Sequence, residues 1–182
     1  MNLEPPYEGH NGYQSKKPHS DFSTRRATYW SLLVHPPMGV TYGGHGVWSW
    51  NLKPGEHPTG HQGTGPAKLW KDSLDHPGAI QMGYARKLFE AVGFQNLRPA
   101  NVLLADQPGE KEPAKFVACA ATADLKTIVV YTPTGKVSLK PGTIPANGDA
   151  NWFDPRTGET HPAEKDKLTA PSEQDWVLVI TP

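Results

Sequence analysis

Two short stretches near the start of the chain carry side chains that could hold and cleave a sugar. Each stretch follows a short strand-like run, and together they combine aromatic rings with carboxylate, imidazole and hydroxyl groups. Tyrosine and tryptophan faces can stack on sugar rings, and carboxylates can protonate a glycosidic oxygen or attack the anomeric carbon. The combination therefore predicts a glycoside hydrolase site, with these candidates: Glu4, Tyr7, Glu8, Tyr42, His45 and Trp48.

Several candidates also have a simpler structural interpretation, which the sequence leaves open. Glu4 could be an exposed acid near a frayed terminus, and Glu8 could be a loop-surface charge. Trp48 and the neighbouring Trp50 could form the core of a long loop instead of lining a pocket. Residue types alone do not decide between these alternatives, so the elements that position the side chains matter.

Other chemistries have less support in the sequence. His57 and His61 are four residues apart, which is the spacing of two zinc ligands on a helix. Pro58 and Gly60 lie between them and disfavour a helix, so we expect no metal site. The sequence contains neither a glycine-rich phosphate loop nor a Gly-x-Ser-x-Gly nucleophile turn, and we expect no cofactor.

The first part of the chain alternates strand-like and helical segments. Residues 2–4 form the end of a strand, and apolar positions at helical spacing predict a helix from Ser20 or Asp21 to Pro36-Pro37. Residues 38–42 form a second short strand. A strand, a helix and a strand in one sheet imply a parallel pair. The candidates therefore follow the carboxyl ends of two neighbouring strands, where barrel enzymes carry their active sites.

A long irregular loop follows the second strand, and two further helices are expected after it. The loop covers residues 43–65 and carries glycine, histidine and tryptophan. Pro66 suits the first position of a helix that we expect to extend to Leu74. Apolar residues at helical spacing predict another helix from about Gly78, which Gly93 ends in a left-handed conformation.

From residue 98 onward the pattern changes to short strands and turns. The first two strands flank a short turn and form a hairpin, whereas the last alternates in the manner of a central strand. Together they predict a small antiparallel β-sandwich over residues 98–182. The predicted strands are, in chain order, residues 116–121, 127–132, 136–139, 151–153 and 175–181.

Residues 1–97 hold at most two strand–helix units, which cannot close a fold by themselves. Such units build doubly wound sheets, or barrels of eight strands and about 250 residues. A lone parallel pair would expose both faces and both edges. We therefore expect a missing segment or another chain to complete the fold of residues 1–97. Without that complement we expect self-association.

The stretches Asn2–Gly9, Arg25–Trp30 and Gly39–Trp48 follow one another in an order that resembles the last third of the apiosidase-like glycoside hydrolases. Two later stretches, Ala150–Gly158 and Asp175–Leu178, resemble the small β module that follows the barrel in that family. This module often carries a collagen-binding label. The resemblance covers essentially the whole chain, and it implies that residues 1–97 are the last two βα units of an incomplete TIM-type barrel.

The resemblance implies a retaining mechanism that uses two carboxyl groups. Glu4 would be the nucleophile, and the general acid would come from an earlier barrel strand to which no residue of this chain corresponds. A retaining site needs the two carboxyls about 5–5.5 Å apart. We therefore expect the chain alone to be inactive on the pectic side-chain sugars typical of the family. The alternative is a non-catalytic module whose β-sandwich binds collagen or carbohydrate.

The composition argues against several other kinds of partner. Eighteen basic and eighteen acidic side chains balance to a net charge of zero, so nothing draws the chain to nucleic acid or anionic lipid. Its apolar runs are too short to span a bilayer. Members of the family are usually secreted or periplasmic, but the sequence shows no signal segment and leaves localisation open. Cys119 lies in an apolar stretch and predicts a buried structural thiol.

Overall fold

The computed structural model describes residues 2–35, 39–58 and 60–182. The chain divides into two compact units, one made of Met1–Thr28 and Gly39–Gly83, the other of Tyr29–Met38 and Tyr84–Pro182. The predicted domain boundary between residues 97 and 98 stays a prediction. No helix among the described residues is long and apolar enough to cross a membrane.

The described residues form two α-helices and one six-stranded antiparallel sheet, with short 3₁₀ turns between them. These elements fit the predicted combination of an α/β part and a β part. The helices are α1 (Asp21–Val34) and α2 (Pro77–Ala91), and the strands are β1 (Arg98–Pro99), β2 (Ala118–Ala121), β3 (Ile128–Thr132), β4 (Asp149–Phe153), β5 (Thr160–Pro162) and β6 (Trp176–Thr181).

The predicted parallel pair in the first unit is present as two isolated bridges. Asn2 pairs with Val40, and Glu8 pairs with Gly44, both in the parallel sense. The Glu8 amide donates to the Gly43 carbonyl over 2.9 Å, and the His45 amide donates to the Glu8 carbonyl over 2.8 Å. Neither stretch forms a continuous strand. Met38, the predicted start of the second strand, lies outside the described residues.

Helix α1 begins where the sequence predicts, because Ser20 caps its first turn. The Ser20 hydroxyl accepts from the Ser23 amide over 3.3 Å, which satisfies a free N–H group at the helix start. The helix extends to Val34, and the predicted stop at Pro36-Pro37 lies outside the described residues. On its buried side Arg25 donates to Asp21 over 2.6 Å and to Gln81 of α2 over 2.7 Å.

Helix α2 confirms the prediction of a helix near Gly78, and Gly93 beyond it has the expected left-handed conformation, with a φ of 65°. The helix predicted for residues 66–74 is wrong, since only a 3₁₀ turn forms there, at Lys71–Ser73. Backbone groups that would pair with each other inside a helix form hydrogen bonds with the long loop instead. Ala67 donates to the Glu56 carbonyl over 3.1 Å and accepts from the Gly55 amide over 2.8 Å.

The sheet of the second unit has the strand order β1-β2-β3-β6-β4-β5, with every pair antiparallel. The β2–β3 hairpin and the position of β6 between β3 and β4 confirm the prediction of a hairpin and a central strand. Cys119 of β2 is fully buried. Burial raises the pKa of its thiol to about 12, so the thiol stays protonated and inert, as predicted.

Both faces of this sheet are covered within the second unit. On one face Trp152, Trp176 and Leu178 form the main core with irregular chain that lies over them. On the other face the ring of Tyr131 stacks on Tyr29 of α1, with centroids 5.0 Å apart. The burial of both faces explains why all five residues of β3 are buried.

The strand predicted at residues 136–139 is wrong. Its two ends make only isolated bridges, Lys136 with Thr169 and Leu104 with Leu139. Val137 and Leu139 still pack on the core, so the apolar pattern arises from burial under the sheet and not from membership of it. The sheet with its irregular cover has the layered arrangement of a sandwich, but the described residues form only one regular sheet.

Candidate functional site

The parallel bridges bring the two candidate stretches side by side in the first unit. Glycine makes this approach possible, because the Tyr7 ring lies directly against the backbone of Gly43. A β-carbon at Gly43 would come within 2.5 Å of that ring. The Thr41 hydroxyl donates to the Leu3 carbonyl over 2.7 Å, which holds the residue before Glu4 against the second stretch. The chain thereby holds the segments after Glu4 and after Tyr42 against each other.

Glu4 is exposed to solvent at the start of this arrangement. Its amide donates to the Asn2 side chain over 3.3 Å, which fixes the backbone and leaves the carboxyl group open. The neighbouring Leu3 is 60% exposed, so the whole segment faces outward. The assignment of Glu4 as the nucleophile stays a prediction.

Glu8, in contrast, is buried and bound on several sides. Its Oε2 atom accepts from the Tyr42 hydroxyl and from the Gly78 amide, each over 2.9 Å. Its Oε1 atom lies 3.9 Å from Nδ1 of His76. A β-carbon at Gly78 would collide with Oε2, so the close approach of carboxylate and helix requires glycine at this position.

The electrostatics around Glu8 explain why a carboxylate is tolerated in a buried position. Gly78 is the second residue of α2, where free N–H groups and the helix dipole favour a negative charge. Tyr42 completes the arrangement as a hydrogen-bond donor. Burial, together with the hydrogen bond and charge of Glu8, raises the pKa of Tyr42 above its ordinary value and keeps its hydroxyl protonated. Glu8 therefore anchors the loop to α2.

A second group of side chains surrounds His10, a residue that the sequence analysis missed. Nε1 of Trp48 donates to Nε2 of His10 over 2.6 Å. The His10 ring also lies 4.5 Å from the His45 ring and 5.2 Å from the Tyr7 ring, measured between centroids. Three predicted candidates thus meet around one unpredicted histidine.

The bond from Trp48 requires Nε2 of His10 to act as an acceptor, so His10 must be neutral. Burial, followed by the nearby His45, His19 and His61, lowers the pKa of His10 to about 4. Each neighbouring imidazole would repel a second positive charge. The group is therefore an uncharged, aromatic surface at neutral pH, which suits the apolar face of a sugar better than a charged ligand.

His45 is embedded in the loop, with only 4% of its surface exposed. Its Nε2 atom must donate to the Gly65 carbonyl, 2.9 Å away, because a carbonyl oxygen can only accept. Burial lowers the pKa of His45, and its Nδ1 atom has no hydrogen-bond partner among the residues that the structure describes. By contrast, Trp48 is 38% exposed and could contact a ligand directly.

The structure therefore sorts the six predicted residues into three sets. Tyr7, His45 and Trp48 meet around His10, while Glu8 and Tyr42 meet at the start of α2, and Glu4 belongs to neither set of contacts. His10 and His76 carried no periodic signal in the sequence; proximity to Glu8 in the chain was the one clue to His10. Among the described residues no three potential ligands are placed to hold a metal ion.

Two protein-family models match the chain, one over each part. A family model described as "Apiosidase-like, catalytic domain" matches residues 1–96, which is more than half of the chain. A second model, described as "Putative collagen-binding domain of a collagenase", matches residues 99–181. A comparison with curated proteins finds no match.

Solved structures with the same fold are longer than this chain. One glycoside hydrolase is 23% identical, with a TM-score of 0.74, and the match covers 98% of this chain and 42% of that one. A glycoside hydrolase family 5 protein from Bacteroides vulgatus ATCC 8482 is 20% identical, with a TM-score of 0.76, and the match covers 98% of this chain and 40% of that one. The chain thus spans about two fifths of the structures it matches.

Proposed function

This chain belongs to the family of apiosidase-like catalytic domains, and on that premise we propose that it contributes the nucleophile to a retaining glycoside hydrolase site. In this proposal residues 1–97 correspond to the last two βα units of a (β/α)₈ barrel, and residues 98–182 to the β module that follows it. Glu4 attacks the anomeric carbon, while Tyr7, Tyr42 and Trp48 line the sugar pocket.

The observation that carries the proposal is the parallel pairing of the two candidate stretches. It sets an open carboxyl, Glu4, at the start of a loop whose later residues build an aromatic surface around His10. In a parallel α/β arrangement such loops follow the carboxyl ends of the strands, where active sites lie. Glu8 joins the two stretches to the start of α2 by accepting from the Tyr42 hydroxyl and from the Gly78 amide.

The general acid is the part that we assign to a segment outside this chain. Glu8 is engaged by Tyr42 and Gly78, so it is poorly placed to give a proton to a leaving group. A retaining site needs a second carboxyl about 5–5.5 Å from the nucleophile. More than half of each of these longer structures lies outside the match with this chain. We propose that a segment equivalent to that part supplies the acid.

The first test measures hydrolysis of aryl glycosides and pectic oligosaccharides by the chain alone and by a chimera. In the chimera the chain replaces the matching two fifths of the solved glycoside hydrolase. We expect no turnover by the chain alone, and turnover by the chimera that Glu4→Gln lowers by about a thousandfold or more, as loss of a covalent nucleophile does.

The matched control is Glu56→Gln, which changes an exposed glutamate of the long loop. This variant should leave the activity of the chimera unchanged. A chimera whose turnover survives Glu4→Gln would refute the nucleophile assignment. Turnover by the chain alone would refute the assignment of the acid to another segment. We propose pectic side chains as substrates because they are typical of the family, and the panel of oligosaccharides tests this part of the proposal directly.

The match of residues 99–181 to a collagen-binding model favours a second candidate function. In this alternative the chain is a non-catalytic module whose sheet and irregular cover bind a polymer. Retention of the full chain on immobilised collagen or polysaccharide, compared with a column of uncharged agarose, tests it. Passage through every column without retention would remove this candidate.

A further inference from the structure

Trp50 of the long loop and Trp70, which follows that loop, form a stacked pair of indole rings outside the two groups of candidate residues described above. The rings of Trp50 and Trp70 are nearly parallel, with centroids 4.2 Å apart and an angle of 14° between them. Trp50 is nevertheless 57% exposed. Because Trp70 covers one face of Trp50, the exposed area must include the opposite face.

The backbone at Trp50 is in a conformation that disfavours a side chain of this size. Its φ angle is 49°, in the left-handed region where glycine is the usual residue. Local strain of this kind persists where the surrounding structure holds it and often marks a functional position. Glycine at this position would relieve the backbone strain but would remove the stacking on Trp70.

Hydrogen bonds on both sides hold the indole pair in place. The Trp50 amide donates to the Val47 carbonyl over 3.0 Å, and the Asn51 amide donates to the Gly46 carbonyl over 2.9 Å. The Trp70 amide donates to the Asn51 carbonyl, also over 2.9 Å. Asn51, the shared support, is 7% exposed. The outward ring is therefore presented on a fixed base before any ligand arrives.

The size of this surface fits a sugar ring better than a protein partner. A tryptophan side chain buries about 150–250 Å² at most, whereas a stable protein interface needs about 800 Å² from each partner. One indole face matches the area of one pyranose ring. The C–H groups on such a ring face carry partial positive charge, and the π face of indole is negative.

We propose that Trp50, backed by Trp70, is a binding platform on which one pyranose ring of a pectic polysaccharide stacks. The platform gives the chain a sugar contact that takes no part in bond cleavage. The ammonium group of Lys71 lies 5.6 Å from the centre of the Trp70 ring and holds this backing ring by a cation–π contact. The choice of polymer rests on the proposed function, whereas the platform itself requires no hydrolysis.

Affinity electrophoresis of the full chain in gels that contain soluble pectin tests the platform. We expect pectin to retard the chain, and Trp50→Gly to weaken binding by about tenfold, the upper range for one aromatic contact. Glycine suits the left-handed backbone, which offsets lost packing, and circular dichroism shows whether the variant is folded. Trp50→Phe keeps a flat ring and should retain most of the binding.

The matched control is Leu52→Ala, which removes another exposed apolar side chain, 69% exposed, from the same loop. It should bind like the unchanged chain. Equal retardation of the unchanged chain and Trp50→Gly, or no retardation by pectin at all, would overturn the platform. So would self-association that Trp50→Gly abolishes, since the ring would then contact a second copy. These outcomes do not depend on Glu4, whose role the hydrolysis assay of the chimera decides separately.

Discussion

His10 can accept the hydrogen bond from Trp48 only while its Nε2 atom carries no proton. We expect this bond to persist from neutral pH down to about pH 4, because the pKa of His10 is lowered to about 4. An NMR titration of the Trp48 indole proton should show one step near that pH. A midpoint near 6.5, the ordinary value for histidine, would contradict the buried arrangement.

The same pKa shift fixes the sign of the effect on stability. Between about pH 6.5 and pH 4 the unfolded chain binds a proton at His10 and the folded chain does not, so this residue stabilises the fold less as the pH falls. His10→Gln offers a control, because the glutamine oxygen can accept from Trp48 without titrating. Its indole signal should show no step near pH 4.

At the residue scale the sequence predicted one site from six side chains, and the structure brings three of them together around His10. Tyr7, His45 and Trp48 share one neighbourhood because two parallel segments carry them to the same place. Their common centre, His10, had no pattern to distinguish it from other loop histidines. The burial of Glu8 was also beyond prediction, since it depends on a contact with Gly78, seventy positions away in the chain.

The start of α2 allows a prediction at the scale of the element. Replacing glycine by alanine inside a helix normally stabilises it by about 1 kcal/mol. At Gly78 the new β-carbon would meet the Glu8 carboxylate. We therefore expect Gly78→Ala to lower the free energy of unfolding by about 1–3 kcal/mol, because it breaks a buried charge-assisted hydrogen bond.

Gly83 provides the matched control on the same helix, because a β-carbon there would meet nothing within 4 Å. Gly83→Ala should raise the free energy of unfolding by about 0.5–1 kcal/mol. Denaturant unfolding of both variants gives the comparison. Equal effects of the two substitutions would show that Glu8 does not hold the start of α2.

The elements that the sequence predicted correctly are those whose signal is local. Helix α1 has a capping serine, and the β2–β3 hairpin has a short turn between two apolar runs. The errors at 66–74 and 136–139 share one cause. In both places tertiary partners decide the backbone conformation, through hydrogen bonds to the long loop in the first case and burial under the sheet in the second.

At the scale of the whole molecule, the segment around Leu3 faces outward and exposes an apolar side chain to other copies of the chain. Leu3 is 60% exposed and sits between the paired Asn2 and the open Glu4. Extended segments with exposed apolar side chains tend to pair with other chains. We expect the chain to self-associate as its concentration rises, and Leu3→Lys to shift it toward the monomer, as measured by light scattering with size exclusion.

Leu125 supplies the control, because it is also an exposed leucine, at 45%, but lies in the turn between β2 and β3. Leu125→Lys should associate as the unchanged chain does, since the turn joins two strands that already pair with each other. A chain that remains monomeric at every concentration would contradict the prediction. If the association does occur, the barrel segment that we propose as the source of the general acid should suppress it, because that segment would occupy the same surface.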